Sequence, residues 1–285
     1  MAKAVTQTTP ARASLSDFTG TLTLIGAGKM GSAMLDGWLA LGLDPAKVAV
    51  IEPEPSAEVA RLVARGLALN PPSAVSRATS VVVIAIKPQI ASEVLADLTP
   101  LVDASTLVIS IMAGRTLDFL ARVLPGNVAI VRAMPNTPAA IGRGISVAVA
   151  NARATPLQRD LAQGLLSAVG VVEWIDDEAL MDAVTAVSGS GPAYVFLLAE
   201  SLARAGATAG LPADLSARLA RATVAGSGEL LHRVELDAAT LRRNVTSPGG
   251  TTAAALDVLM AEGGLDQLMT EAVAAATRRS RALAG

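Results

Sequence analysis

The sequence predicts an α/β chain. It places a doubly wound parallel sheet over residues 21–176 and an all-α domain over 177–285, behind a flexible tail at 1–20. Three observations predict this. Short apolar runs alternate with amphipathic stretches up to about residue 175, and strand and helix in alternation build a parallel sheet with helices on both faces. A Gly-x-Gly-x-x-Gly run at 26–31 directly follows the first apolar run and opens the first amphipathic one. Beyond Asp176 no strand pattern appears, and Ala/Leu-rich helical segments take over.

The expected strands at 21–26, 47–52, 80–86, 106–112 and 128–134 are short, rich in Val and Ile and bounded by turn residues, as strands buried on both faces are. Between them lie helices at 30–41, 56–65, 90–98 and 117–124. Further strands at 145–150 and 171–175 flank a helix at 156–168. Helices at 179–187, 192–209, 213–231, 239–244, 251–260 and 265–284 complete the chain. Several are apolar nearly all round, and such a helix is buried inside a large domain or against another subunit. This half of the chain is too short to bury them all alone, so it is expected to pair with its own copy. Met112, Met134, Met260 and Met269 fall in apolar runs and read as core.

Composition narrows the function. Aromatic residues are 2% of the 285, which disfavours stacking on nucleic-acid bases, and the net charge of -2 gives no reason for a polyanionic partner. There is no cysteine, hence no disulfide, thiolate metal site or Cys nucleophile. The only histidine, His232, reads as a helix-end residue, and no metal is expected. No apolar run approaches the roughly 18–20 residues of a membrane span. Residues 1–20 lack the apolar stretch of a signal peptide. A cytoplasmic enzyme without membrane partner is the expectation.

Gly26, Ala27, Gly28, Lys29, Met30 and Gly31 form the first candidate site. Gly26 permits the tight turn, Gly28 lets a pyrophosphate approach the backbone, and Gly31 allows close helix–strand packing, the pattern of a Rossmann-type dinucleotide site. Glu52 ends the next long strand, where a carboxylate accepts hydrogen bonds from adenosine ribose hydroxyls and repels a 2′-phosphate. That favours NADH over NADPH. Lys87 and Pro88 close the strand at 80–86, and Asn136 follows the strand at 128–134 in a Pro-framed turn. Both lie where parallel strands present their carboxyl ends to a ligand.

A second cradle is expected at 246–252, where Ser247, Pro248, Gly249, Gly250, Thr251 and Thr252 form a helix entrance. Pro is tolerated in the first helical turn, the glycines leave amides uncovered, and free N–H groups with the positive end of a helix dipole suit a carboxylate. A third glycine-rich run, 188–194, opens another helix at Pro192.

Taken together, in this order and spacing, the runs at 26–31, 86–89, 134–138, 188–194 and 245–252 resemble pyrroline-5-carboxylate reductases. The resemblance extends from about residue 21 to the C-terminus and implies a Rossmann domain followed by a helical dimerisation domain, in dimers commonly assembled into decamers. It implies hydride transfer from NADPH or NADH to the C=N carbon of 1-pyrroline-5-carboxylate, giving L-proline. By the same resemblance Ser247 and Gly249–Thr251 hold the substrate carboxylate and Thr252 hydrogen-bonds the ring nitrogen. Asn244 and Asn136 lie near the coenzyme, and Glu178 approaches the substrate. The family position matching Glu52 is often a small hydroxyl residue that contacts a 2′-phosphate, so the chain departs from its pattern there. Dehydrogenases of the β-hydroxyacid type share the architecture but use a lysine in the helical domain, and this chain has none after Lys87. A reductase of another cyclic imine, or a redox-sensing dinucleotide binder, are the remaining readings.

Overall fold

The computed structural model describes residues 14–72 and 79–284, without the side chains of 96–99 and 284. The described residues divide into two compact units, 14–189 with 276–284, and 190–275.

The first unit is built on strands β1 (Leu22–Ile25), β2 (Val48–Ile51), β3 (Ala68–Leu69), β4 (Val81–Ile84), β5 (Leu107–Ser110), β6 (Ala129–Met134), β7 (Gly144–Ala150) and β8 (Gly170–Trp174). Their order in the sheet is β3-β2-β1-β4-β5-β6-β7-β8. The pairs from β3 to β6 are parallel, and β7 pairs β8 in parallel. The β6–β7 pair is antiparallel, with Val131 opposite Ala150 and Met134 opposite Val147. This departs from the all-parallel expectation for a simple reason. A parallel return needs a crossover of a dozen or more residues, and β6 and β7 are joined by one 3-10 turn, Thr137–Ile141.

Helices α1 (Lys29–Ala40), α2 (Ala57–Leu62), α3 (Ala91–Leu98), α4 (Leu117–Val123) and α5 (Pro156–Ser167) connect the strands. Polar caps set their starts. Ser56 and Thr116 accept from the amides of Val59 and Phe119, and Thr155 forms a reciprocal capping box with Gln158. One face of the sheet buries Leu22, Leu24, Met34 and Trp38, and the other buries Ile84, Leu95, Val108 and Leu120. Trp38 Nε1 donates to Leu165 O at 2.8 Å and so locks α1 to α5.

Residues 1–13 of the expected tail lie outside the described residues. The remainder, 14–20, is packed down: Leu15 is buried, its amide donates to Leu41 O at 2.8 Å, and Lys47 Nζ bonds Phe18 O. Two apolar side chains in that stretch, Leu15 and Phe18, supply the reason.

Between β8 and the second unit the chain makes a 3-10 turn (Glu178–Leu180), a short helix α6 (Met181–Val184) and a π turn (Thr185–Gly189), where one continuous helix was expected. The second unit holds α7 (Gly191–Thr208), α8 (Ala213–Arg233), α9 (Ala238–Asn244), α10 (Thr251–Leu259) and most of α11 (Leu265–Ala284). Ser216 of α8 donates to Ala203 O of α7 at 2.7 Å, opposite Gly206, where a Cβ would meet its hydroxyl at 2.2 Å. His232 stands in the last turn of α8, as expected of a dipole-complementing residue. Met112 is buried, but Met260 and Met269 are exposed in the single chain, 54% and 37%, because they belong to the apolar surface of this unit rather than to a closed core.

Candidate active site

The glycine loop connects β1 to α1. Gly26 has φ +91, and a Cβ there would strike Ala85 O at 2.7 Å. A Cβ on Gly31 would strike Gly26 O at 2.1 Å. Gly28 meets nothing within 4 Å, and as N-cap of α1 it contributes no side-chain cap. The loop is thus closed at both ends and open in the middle, on amides at a helix N-terminus. These residues fit a dinucleotide pyrophosphate. Ala27 is buried, Lys29 is exposed on the first turn of α1, and Met30 is half-buried against the core.

Glu52 lies directly beside this loop. Its Oε2 accepts from Ala27 N at 2.8 Å and its Oε1 from Glu54 N at 3.1 Å. Asn70, with φ 47, clasps the Glu52 backbone: Oδ1 accepts from Glu52 N at 2.8 Å, and Nδ2 donates to Glu52 O at 2.9 Å. The sequence reading missed Asn70, which gives no strand or motif signal of its own.

Lys87 is exposed and precedes a 3-10 turn, Pro88–Ile90, after β4. Arg115, another residue unmarked by any motif, fixes that turn by donating to Pro88 O from Nε at 3.2 Å and NH2 at 2.7 Å. Asn136 closes the turn after β6, its Oδ1 accepting from Ile145 N at 3.0 Å.

Glu178 joins two elements of the first unit. Its Oε1 accepts from Arg132 NH1 at 2.7 Å and from Leu117 N, the first residue of α4, at 2.8 Å. Arg132 is almost fully buried in β6 and needs such a counter-charge. Its signal was present in the sequence as the one charge inside an apolar strand run.

In the helical unit the cradle differs in detail from the expectation. Gly250 N donates to Ser247 O at 3.0 Å, Pro248 follows Ser247, and Gly249 has φ +68. That is a type II β-turn with Pro and Gly in the positions it favours. Pro248 therefore serves the turn, not the first turn of α10. Gly250 is the N-cap and provides no side-chain cap, so the α10 N-terminal amides are not taken by a capping side chain. Ser247, Gly249, Thr251 and Asn244 are exposed and Thr252 is half-buried. Open space surrounds Gly249. The turn and the helix start together offer a carboxylate an amide-lined, positively polarised seat.

Comparison with known proteins gives consistent findings for both units. The family described as "Pyrroline-5-carboxylate reductase dimerisation" matches residues 178–283, and "NADP oxidoreductase coenzyme F420-dependent" matches 21–114. The chain is 40% identical over 265 residues to a pyrroline-5-carboxylate reductase of Pseudomonas aeruginosa, covering 92% of this chain and 96% of that one. It is 46% identical over 205 residues to that of Synechocystis, covering 72% and 75%. Among solved structures it is similar to a pyrroline-5-carboxylate reductase from Coxiella burnetii, with TM-score 0.85, 34% identity and coverage of 93% and 98%. A Plasmodium falciparum pyrroline carboxylate reductase with NADP bound aligns with TM-score 0.79, 30% identity and coverage of 94% and 99%.

Proposed function

The chain belongs to the pyrroline-5-carboxylate reductase family, and from that premise we propose how its own residues divide the work. It is an NAD(P)H-dependent oxidoreductase that reduces 1-pyrroline-5-carboxylate to L-proline, the last step of proline biosynthesis. When bound, the reduced nicotinamide supplies the hydride. The protonated C=N is already electrophilic, so the protein's task is orientation, with reacting atoms about 3–3.5 Å apart.

Gly26, Ala27, Gly28, Lys29, Met30 and Gly31 seat the pyrophosphate, Glu52 the adenosine ribose, and Lys87 with Pro88 the next stretch of the coenzyme. Asn136 and Asn244 stand near it. Ser247 and the amides of Gly249, Gly250 and Thr251 bind the substrate carboxylate. The Thr252 hydroxyl accepts the N–H of the protonated imine and so fixes the ring. Glu178 approaches the substrate from the segment it anchors through Arg132 and the start of α4.

The observation that carries the substrate assignment is the type II turn running into the uncapped start of α10. Replacing Thr252 by Ala is expected to lower kcat/KM about 10- to 1000-fold, the range of a single transition-state hydrogen-bond partner. Absorbance of NADH and NADPH in the presence of pyrroline-5-carboxylate reads it. Unchanged turnover and substrate affinity would remove Thr252 from the site.

Apolar helices left uncovered in the single chain support a homodimer. A decamer built from dimers and a cytoplasmic location follow the family pattern. Among the described residues no helix is long and apolar enough to cross a membrane.

A further inference from the structure

The run 188–194 was singled out by sequence, and no role above uses its first residue, Ser188. The chain passes through the π turn Thr185–Gly189 there. The local cause is Pro192, which has no N–H to give the Ser188 carbonyl, so a regular helix cannot run through this point. π turns are rare and concentrate at functional sites.

A helical hydroxyl usually donates to a carbonyl three or four residues back. Thr185 does so in this same segment, its Oγ1 donating to Met181 O at 2.8 Å. Ser188 does not. Among the described residues its Oγ is a buried side-chain oxygen with no hydrogen-bond partner. A buried hydroxyl left unpaired is unfavourable and calls for a partner.

Its place in the fold points to that partner. A Cβ on the adjacent Gly189 would lie 2.6 Å from Met134 Cε, so the π turn rests on the last residue of β6. Carboxyl ends of parallel strands face the ligand, and in the order β3-β2-β1-β4-β5-β6 the β4–β6 half takes the second mononucleotide, the nicotinamide end. Asn136, the nearby polar residue, has already spent its Oδ1 on Ile145 N. The Glu178 bond to Arg132 holds the start of the segment on the same strand.

We propose that the Ser188 hydroxyl hydrogen-bonds the carboxamide of the nicotinamide ring. It donates to the carboxamide oxygen, and so makes Ser188 a positioning residue for the ring face presented to the substrate. The proposal rests on the coenzyme cradle described above, and ADP-ribose, which lacks the nicotinamide, reads that cradle separately.

Calorimetric titration of wild type and Ser188→Ala with NADH and with ADP-ribose tests it. The variant is expected to bind NADH about 5- to 10-fold more weakly and ADP-ribose within about 2-fold of wild type, the loss of one hydrogen bond. Its melting temperature should not fall, since the hydroxyl holds nothing in the free protein. Equal losses for both ligands, or no loss for NADH, overturn the proposal. So does a change confined to KM for pyrroline-5-carboxylate. Should Ser188→Ala fail to fold, wild type itself decides: the 3-thionicotinamide analogue of NADH is a poorer acceptor and should bind several-fold more weakly, and equal affinity overturns the proposal.

Discussion

We propose two jobs for the one Glu52 carboxylate. Its Oε2 holds the amide of Ala27 in the glycine loop, and the proposed second job is to repel an adenosine 2′-phosphate. Asn70 fixes its backbone from both sides, so the carboxylate is delivered by a rigid strand end rather than by a loop. Removing the charge relieves repulsion of the 2′-phosphate at the expense of ribose contacts. Glu52→Ser is therefore expected to raise the ratio of kcat/KM for NADPH over NADH by about 10-fold, the effect of roughly 1.4 kcal/mol. A ratio that does not move would assign coenzyme choice to another residue. At this scale the sequence was legible wherever chemistry forces one residue type. Gly26 and Gly31 are required by contacts a Cβ could not survive, whereas a Cβ on Gly28 would meet nothing within 4 Å, so its glycine is explained by the proposed coenzyme alone. Asn70, Arg115 and Arg132 were not legible as partners. Their meaning lies in long-range bonds to Glu52, Pro88 and Glu178, which no local spacing encodes.

The elements follow from local signals except where chain length or proline intervenes. The strand and helix runs were readable from hydrophobic periodicity and caps. The antiparallel β7 was not, because its direction is decided by the shortness of the turn after β6. Nor was the π turn, which arises where Gly189 and Pro192 interrupt an otherwise helical pattern. One element prediction concerns α9, which leads into the turn at 247–250. Its N-cap Asp237 accepts from Thr240 N and Thr240 Oγ1, both at 2.8 Å. These bonds, with the nearby Arg243, hold its carboxyl below the usual aspartate range. Folding thus favours the ionised form. Its contribution to stability is present above the usual carboxylate range and is lost as pH falls through the lowered pKa. Asp237→Asn keeps a capping oxygen but cannot titrate, so its stability curve should be flatter than wild type below about pH 4. Urea unfolding across that range measures it, and parallel curves would show that the cap is not coupled to protonation.

At the scale of the whole molecule the helical unit cannot be complete as one chain. Helices α7, α9 and α10 bury no residue, and α8 buries only Ser216 and Ala220. Phe196 is 63% exposed and Val258 74%, among a large set of exposed Leu, Val and Met side chains. Apolar side chains exposed in such number mark an association site, and the dimerisation family matches the same residues. Its composition also accounts for the sequence: Ala/Leu-rich helices with few charges are stable in water only when a second copy covers them. Wild type at micromolar concentration should therefore scatter light as at least two 28.8 kDa chains, and its melting temperature should rise with protein concentration. Placing a carboxylate on that surface, as in Phe196→Glu, buries an unpaired charge on association and should shift the protein toward monomer with a lower, concentration-independent melting temperature. A wild type that remains at 28.8 kDa, or a Phe196→Glu protein with unchanged mass, would mean that these helices are not joined through the α7 surface.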